Sequence, residues 1–474
     1  MPPTAPRMRR APPQSLRLRN QAPESGRSGP GGSPRWSVKL GLGAGKEGLP
    51  LAMWRLLGPG ASGLAPRIKT SLAIATGPDQ TGFAALTAES AAEEAIDPLR
   101  HLGFYEFFAG GGMARQGLSG QFQVLFANDF DTGKAAVYRA NFGSLDLVCA
   151  DVFSLAPSDL PGGAALAWAS SPCQDFSLAG RREGLAGSKS SAFFGFWRLM
   201  EALGAARRAP GVIVVENVTG LLSSHAGQDL VALCRALRSQ GYFVGALEVD
   251  AELFLPQSRP RLFVIAAKRQ PDRLCMEGPH LPYHSTRLQR AVAGFPPDLQ
   301  RDWVWWRMPA PPKRNISLAD LLLADTEVDW HPPDATTRLL GLLAPPHQRK
   351  LAEARSAPGR QVGTLFRRTR PGAEGSEQRA EVRFDGVAGC LRTPGGGSSR
   401  QFLVSVEGGE VRTRDLSPRE TARLMGLGDD YILPKGKLAA LHLTGDGVAV
   451  PVARWMSEHL LSPLAQACLR PATE

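Results

Sequence analysis

Between residues 99 and 270, short apolar runs alternate with stretches whose apolar positions recur at helical spacing. Tyr105–Phe108, Val124–Ala127, Leu145–Ala150, Ala164–Trp168 and Val212–Val215 have the length and near-continuous hydrophobicity of strands buried on both faces. A helix start follows the first of them at Met113-Ala114-Arg115-Gln116. Further on, Leu230, Leu233, Cys234 and Leu237 fall on one helical face, which predicts a helix and places Cys234 in the core. Strand–helix alternation predicts an α/β fold with a parallel, doubly wound sheet, whose ligands sit at the carboxyl ends of the strands. From 271 to 410 the pattern changes to irregular, Pro-punctuated sequence, as in Trp303-Val304-Trp305-Trp306, Pro309–Pro312 and His331-Pro332-Pro333. This interval is expected to be a second, smaller, irregular domain, with the Trp cluster in its core. Residues 1–98 have no sustained periodicity beyond a short helix expected at Ala88–Ile96.

Two strand ends carry candidate chemistry. Tyr105–Phe108 runs into Ala109-Gly110-Gly111-Gly112, and glycines there permit a tight turn and close approach of a ligand to the backbone. About 20 residues further on, Asp129 closes the next strand, where an acid is placed to hydrogen-bond ribose hydroxyls. Phe130 beside it is suited to stacking on adenine, and Asp151 to accepting from an exocyclic amine. A dinucleotide fingerprint needs a further glycine at position 115, which is Arg115, so an adenosyl ligand without pyrophosphate suits the loop better. The absence of that fingerprint, and of any use for a thiol, also disfavours a nicotinamide oxidoreductase.

The second feature is a thiol and a carboxyl. Cys173 follows the strand Ala164–Trp168 in a sharp turn, Ser170-Ser171-Pro172-Cys173-Gln174, and Glu216-Asn217-Val218 follows Val212–Val215. A cysteine reacts as thiolate, and Arg181, Arg182 and Lys189 lie within chain reach to favour that form. Taken singly, Cys173 reads as a buried small hydrophobe and Glu216 as a helix cap. Presented from neighbouring strand ends, the two can act on one substrate ring.

Phe108-x-Gly110-x-Gly112, Asn128-Asp129-Phe130-Asp131, Pro172-Cys173-Gln174, Glu216-Asn217-Val218 and Gln257-Ser258-Arg259-Pro260-Arg261 occur in that order. They are followed by Leu416-Ser417-Pro418-Arg419-Glu420 with Arg423–Gly426, and by Gly445-Asp446-Gly447-Val448. Together, over Gly103 to Leu461, they resemble the DNA (cytosine-5-)-methyltransferases of bacterial modification systems. The resemblance implies a Rossmann-like methyltransferase sheet and S-adenosylmethionine as cofactor, met by Phe108, Gly110, Gly112, Asp129, Phe130, Asp151, Asp446 and Val448. It implies that Cys173, Glu216, Arg259 and Arg261 carry the reaction. The Cys173 thiolate would add to carbon 6 of cytosine, Glu216 would meet ring nitrogen 3, and the arginines would steady the ring. The target would be flipped out of the duplex at a cost of a few kcal/mol. Two positions depart from the family pattern: Asp446 stands where Asn is usual, and Leu255 where Gly is usual.

The resemblance further implies catalytic and cofactor-binding parts at 99–270, a target recognition domain at 271–410 and late motifs at 411–474 that return to the cofactor side. Gln174, Ser177, Arg181, Arg182, Gln257, Arg367, Arg368 and Arg400 are the expected DNA contacts, with Gln174–Ser191 as a mobile lid. Within the recognition interval, Arg349 to Arg370 holds seven basic residues against Glu353, a stripe suited to phosphates. Arg392 to Arg400 is a glycine-rich loop suited to a groove.

Charge adds less than it first suggests. The net charge is +11, but residues 1–70 hold 12 Lys/Arg against 2 Asp/Glu, so nearly all the excess lies in the tail. That Pro-, Gly-, Ser- and Arg-rich segment is expected to be disordered. It is a basic arm, a targeting peptide or, the favoured reading, a start placed too far upstream. The 6 cysteines include no C-x-x-C pair, which argues for a reducing compartment, and no H-E-x-x-H or other metal pattern is present. No apolar run approaches a membrane span. The expected protein is a cytoplasmic bacterial monomer, on the nucleoid when bound to double-stranded DNA, with a cognate restriction endonuclease as a possible partner. Rivals are an RNA cytosine-5 methyltransferase with the same site and a non-catalytic DNA-binding homologue.

Overall fold

A computed structural model describes residues 102–171, 192–372, 375–393 and 400–470. The tail 1–98 with the helix expected at Ala88–Ile96, the expected lid with Cys173, Gln174, Ser177, Arg181, Arg182 and Lys189, and the middle of the glycine-rich loop lie outside the described residues.

Nine strands form the large sheet: β1 (Leu102–Phe107), β2 (Phe122–Asp129), β3 (Leu147–Cys149), β4 (Ala164–Ala169), β5 (Val212–Val218), β6 (Phe243–Asp250), β7 (Pro260–Ala267), β8 (Cys275–Met276) and β9 (Trp303–Trp306). Their order is β3-β2-β1-β4-β5-β7-β6-β9-β8. Alternate residues serve opposite faces, and both faces are covered. Phe104, Trp168, Val214 and Phe263 enter one core, whereas Tyr105, Phe107, Ile213, Val215 and Val264 enter the other. That double burial is why the strands read as unbroken apolar runs. The helices α1 (Met113–Leu118), α2 (Thr132–Phe142), α3 (Ala192–Ala205) and α4 (Gln228–Ser239) fall between the strands. Cys234 is buried on α4.

The strands from β3 to β5 are parallel, as the alternation predicts, but not every strand of the sheet follows that direction. β7 runs antiparallel to both β5 and β6, and β8 antiparallel to β9. Periodicity reports burial, not direction, so the reversal left no trace in the hydrophobic pattern. A second correction concerns Trp303–Trp306. These residues are not small-domain core; they form β9, which pairs in parallel with β6 next to the edge strand β8 of the large sheet. The Trp306 indole donates to the Ile265 carbonyl at 3.1 Å.

The interval expected to be irregular contains a regular antiparallel sheet of β10 (Gln361–Gly372), β11 (Gly375–Arg383), β12 (Gln401–Glu407) and β13 (Glu410–Asp415), in the order β11-β10-β12-β13. Leu365, Val382, Val404 and Val406 pack on Leu339 and Leu351 of two helices before it and on Leu343 between those helices. The helix Val450–Met456 packs on α1 so closely that a Cβ on Gly117 would stand 2.6 Å from the Ala453 Cβ.

One buried ion pair ties the small sheet to the helix Pro418–Arg423. Arg414 of β13 meets the Glu420 carboxylate through two bonds of 2.7 and 2.6 Å, and the two side chains are 1% and 0% exposed. The same carboxylate accepts from the backbone N–H groups of Ser417 and Leu323 at 2.8 and 3.0 Å. Burial pushes the acid up, but these donors outweigh it and hold Glu420 below its ordinary range. Glu420→Gln strands a buried guanidinium and should cost about 3–5 kcal/mol in a denaturant titration. A cost within error of zero would show that the pair does not clamp the two parts.

Candidate active site

The carboxyl ends of β1, β2, β4 and β5 open into a cavity of about 1330 Å³ that also takes wall from the small sheet and from residues 443–448. The parallel order β3-β2-β1-β4-β5 reverses direction between β1 and β4, which is where doubly wound sheets bind ligands.

On one side lies the glycine loop. Phe108 follows β1 at φ 57, a conformation costly for a bulky residue, and lines the cavity. Gly110 has φ 56, and a Cβ there would meet no atom within 4 Å, so its backbone faces open space. Gly112, at φ 77, caps α1 and does not line the cavity; a Cβ on it would stand 2.5 Å from Phe142. Phe130 presents a ring that is 73% exposed. These features fit an adenosyl group, with open backbone for its linker and an aromatic face for its base.

Asp129 carries an additional duty that its spacing did not reveal. Its two oxygens accept from Gly110 N–H at 2.7 Å and Asp131 N–H at 2.8 Å, tying the glycine loop to the β2 turn. Burial raises its carboxyl above the usual range against those bonds. Asp151 departs further from expectation. It is exposed, caps the turn Val152–Ser154 through Phe153 N–H at 3.0 Å, and is not among the cavity-lining residues.

Asp446 lines the cavity with buried Val448. Its carboxylate pairs with Lys134 at 2.7 Å and accepts from Thr393. Burial pulls Lys134 down, and the Asp446 bond more than reverses that, holding the ammonium above its ordinary value. The acid found where Asn is usual therefore has its cation beside it.

On the other side lies the candidate catalytic pair. Glu216 is 6% exposed, and the Arg261 Nε lies 3.2 Å from its Oε1. Val218 and Arg261 are register partners on antiparallel β5 and β7. Glu216 stands two residues along the same face, so the guanidinium reaches it diagonally. Burial pushes the Glu216 carboxyl up, opposed by Arg261 and Arg259. Ser170 and Ser171, which follow β4 and precede Cys173 in the chain, line the same cavity. Asn217 donates to the Ser171 carbonyl at 3.0 Å, fixing the start of that turn.

Two expected site residues prove structural. Arg259 is 1% exposed and gives its guanidinium to the carbonyls of Leu391, Gly445 and Gly447 at 2.6, 2.8 and 2.6 Å. It clamps the late motif to the loop after β11 rather than touching a ring. Gln257, expected to meet DNA, is fully buried; it donates to the Leu424 carbonyl at 2.6 Å and accepts from Leu391 N–H at 3.2 Å. In both cases the polar head is consumed by buried backbone that water cannot reach.

The small sheet contributes Arg367 and Arg368 to the cavity wall, with Phe366, Arg383 and Arg392. Arg367 lies 5.4 Å from the Phe402 ring, and Arg368 lies 4.7 Å from the Phe366 ring and 3.4 Å from Glu381. Arg400 lies outside this wall, 4.0 Å from Asp415. Ser170, Lys134, Thr393 and Cys390 also line the cavity, and the sequence reading had assigned none of them. Ser170 carried a signal in its nearness to Cys173, and Thr393 in its place in the glycine-rich loop Arg392 to Arg400.

A family model of the C-5 cytosine-specific DNA methylase matches residues 102–462, and the chain belongs to that family. It is a DNA (cytosine-5-)-methyltransferase. Among similar proteins, the type II methyltransferase M.NlaX of Neisseria lactamica is 27% identical over 365 residues, covering 76% of this chain and 96% of its own. M.HpaII of Haemophilus parainfluenzae is 25% identical over 383 residues, covering 76% and 89%. Two solved structures share the fold. The S. pombe Dnmt2 methyltransferase has a TM-score of 0.50 at 16% identity, covering 78% of this chain and all of that one. The Entamoeba histolytica methyltransferase EhMeth has a TM-score of 0.51 at 12% identity over the same share of this chain.

Beneath the glycine loop, Glu106 is buried and burial pushes its carboxyl up to about 8, against the Arg115 N–H bond at 3.1 Å. An acid raised on folding contributes stability that is complete below its unfolded pKa and is lost as pH rises through the folded value. Melting temperature should therefore fall between about pH 4.5 and 8. Glu106→Gln should flatten that slope, and an unchanged slope in the variant would exclude Glu106 as its source.

Proposed function

We propose that this chain methylates carbon 5 of cytosine within one short DNA sequence, through a transient Cys173 adduct on a base flipped out of the duplex. The observation that carries this is the Glu216–Arg261 pair at 3.2 Å inside a cavity bounded by the turn that leads to Cys173. A carboxyl only 6% exposed is out of reach of a stacked base, so extrusion is required.

The Cys173 thiolate adds to carbon 6, which turns carbon 5 into the nucleophilic end of an enamine. Glu216, kept towards its acid form by burial, gives a hydrogen bond or its proton to ring nitrogen 3 as charge develops there. Arg261 holds that carboxyl in place. Loss of the carbon 5 proton and expulsion of the thiolate release the product. This divides one difficult step into easier ones. S-adenosylmethionine, when bound, supplies the methyl group. Phe108, the Gly110 backbone, Asp129 and Phe130 would hold it, with Val448 and the Lys134–Asp446 pair across the cavity.

Arg367, Arg368, Arg383 and Arg392 line a basic wall suited to phosphates, and the sheet β10–β13 is the proposed target recognition domain. Gln174, Ser177, Arg181 and Arg182 are proposed DNA contacts on chain position. The two relatives described are type II methyltransferases, so a restriction–modification setting with a cognate endonuclease, in a bacterial cytoplasm, is the proposed context.

Expression of the full chain in a host lacking 5-methylcytosine, followed by bisulfite sequencing, should give one enriched sequence context. Unmethylated DNA would overturn the reading. Cys173→Ala should abolish transfer with DNA binding retained, and 5-fluorocytosine DNA should trap the wild type covalently. Glu216→Gln should slow single-turnover methylation by about 10²–10⁴-fold. An active Cys173→Ala enzyme would refute the covalent route.

A further inference from the structure

Consecutive glycines lose more backbone freedom on folding than any other residues. The loop Ala109-Gly110-Gly111-Gly112 is nevertheless held in one shape, by ties from three places. Within the loop, Gly112 N–H bonds the Ala109 carbonyl at 2.8 Å. From the β2 turn, Asp129 accepts from Gly110 N–H at 2.7 Å. The third tie comes from the far end of the chain: the Tyr431 hydroxyl donates to the Gly111 carbonyl at 2.6 Å, a buried bond across 320 positions. Gly110 and Gly111 line the cavity, whereas Tyr431, 5% exposed, is not among the lining residues. A Cβ on Gly111 would run into that hydroxyl, so the loop makes room for it only as glycine.

Tyr431 is itself fixed by the protein. Arg419 donates to its carbonyl at 2.9 Å, and its N–H bonds the Gly428 carbonyl at 3.2 Å. Asn141 of α2 grips the next residue twice, donating to the Ile432 carbonyl at 3.0 Å and accepting from Ile432 N–H at 2.8 Å. Without the hydroxyl, the Gly111 carbonyl would lose the partner it has in a buried place. The glycines on either side would then be free to turn it.

We propose that Tyr431 is a positioning residue for the methyl donor, whose hydroxyl locks the Gly111 peptide so that the glycine loop keeps the shape that accepts the adenosyl group. The proposal rests on the cofactor reading given above. Tyr431 touches the loop and not the cavity, so it acts by ordering the site before binding, which lowers the cost of binding.

The test measures equilibrium binding of S-adenosylhomocysteine to full-length wild type, Tyr431→Phe and Asn141→Ala, with methylation kinetics and hydrogen exchange alongside. Tyr431→Phe keeps the ring and removes the hydroxyl. It should weaken binding about tenfold, because the ligand must then select the competent loop from several shapes. The KM for S-adenosylmethionine should rise by a similar factor with kcat within about twofold, since saturating donor restores the loop. DNA affinity without cofactor should stay within about twofold, and the amides of residues 109–113 should exchange faster in the unliganded variant. Asn141→Ala, which frees Ile432, should weaken S-adenosylhomocysteine in the same direction by less. A folded Tyr431→Phe protein that binds S-adenosylhomocysteine as tightly as wild type overturns the proposal, even with a lowered melting temperature; if that variant does not fold, unchanged binding by Asn141→Ala does so. Wild type that fails to bind S-adenosylhomocysteine would instead sink the cofactor reading, so the two failures are separable.

Discussion

A carboxyl buried at the end of a β-strand needs either a proton or a cation, and the fold gives Glu216 access to both. Burial favours the acid, while Arg261 at 3.2 Å favours the carboxylate. The balance depends on β7 running against β5. In that register the start of β7 lies beside the end of β5, so Arg261 comes to the edge where β1, β2 and β4 end. A parallel strand would have carried the arginine to the opposite edge, far from the glycine loop. The reversal of one strand thus assembles the proposed catalytic pair.

The second constraint is that the cavity has walls from distant parts of the chain. Arg259 and Gln257 bind the loop after β11 and the late helical segment to the start of β7, chiefly through backbone carbonyls and one backbone N–H. The Arg414–Glu420 pair fastens β13 to the helix that follows it. Buried charges of this kind are costly unless every partner is present, so they favour one arrangement of small sheet against large sheet. Lys134, Asp446 and Thr393 add a polar link on the cofactor side. A basic wall and a buried carboxyl are thereby held around one cavity.

The core of the large sheet was legible because both its faces are buried, which leaves continuous apolar runs at β1, β4 and β5. Glu216 was legible because it ends such a run, and the glycine loop because positive φ at Gly110 and Gly112 suits glycine. The small sheet was not. β10 and β11 carry Arg367, Arg368, Arg379 and Arg383 among their apolar positions, and charged exposed strands read as loop. The Trp303–Trp306 strand was read into the wrong domain because hydrophobicity says that a segment is buried, not against what.

The sequence alone set out the candidate reactive groups and their order: a glycine turn, a thiol, a strand-end carboxyl, an arginine motif and a late motif. Local residue types suffice for that, since strand ends, turns and helix starts are set by near neighbours. Only the tertiary structure decided which polar residues face the cavity and which are consumed within the protein. Arg259 and Arg261 lie two positions apart, yet one grips three carbonyls and the other the Glu216 carboxyl. The physical reason is that a buried polar group must satisfy its hydrogen bonds with whatever the fold brings near it, and those partners lie more than a hundred residues away for Arg259.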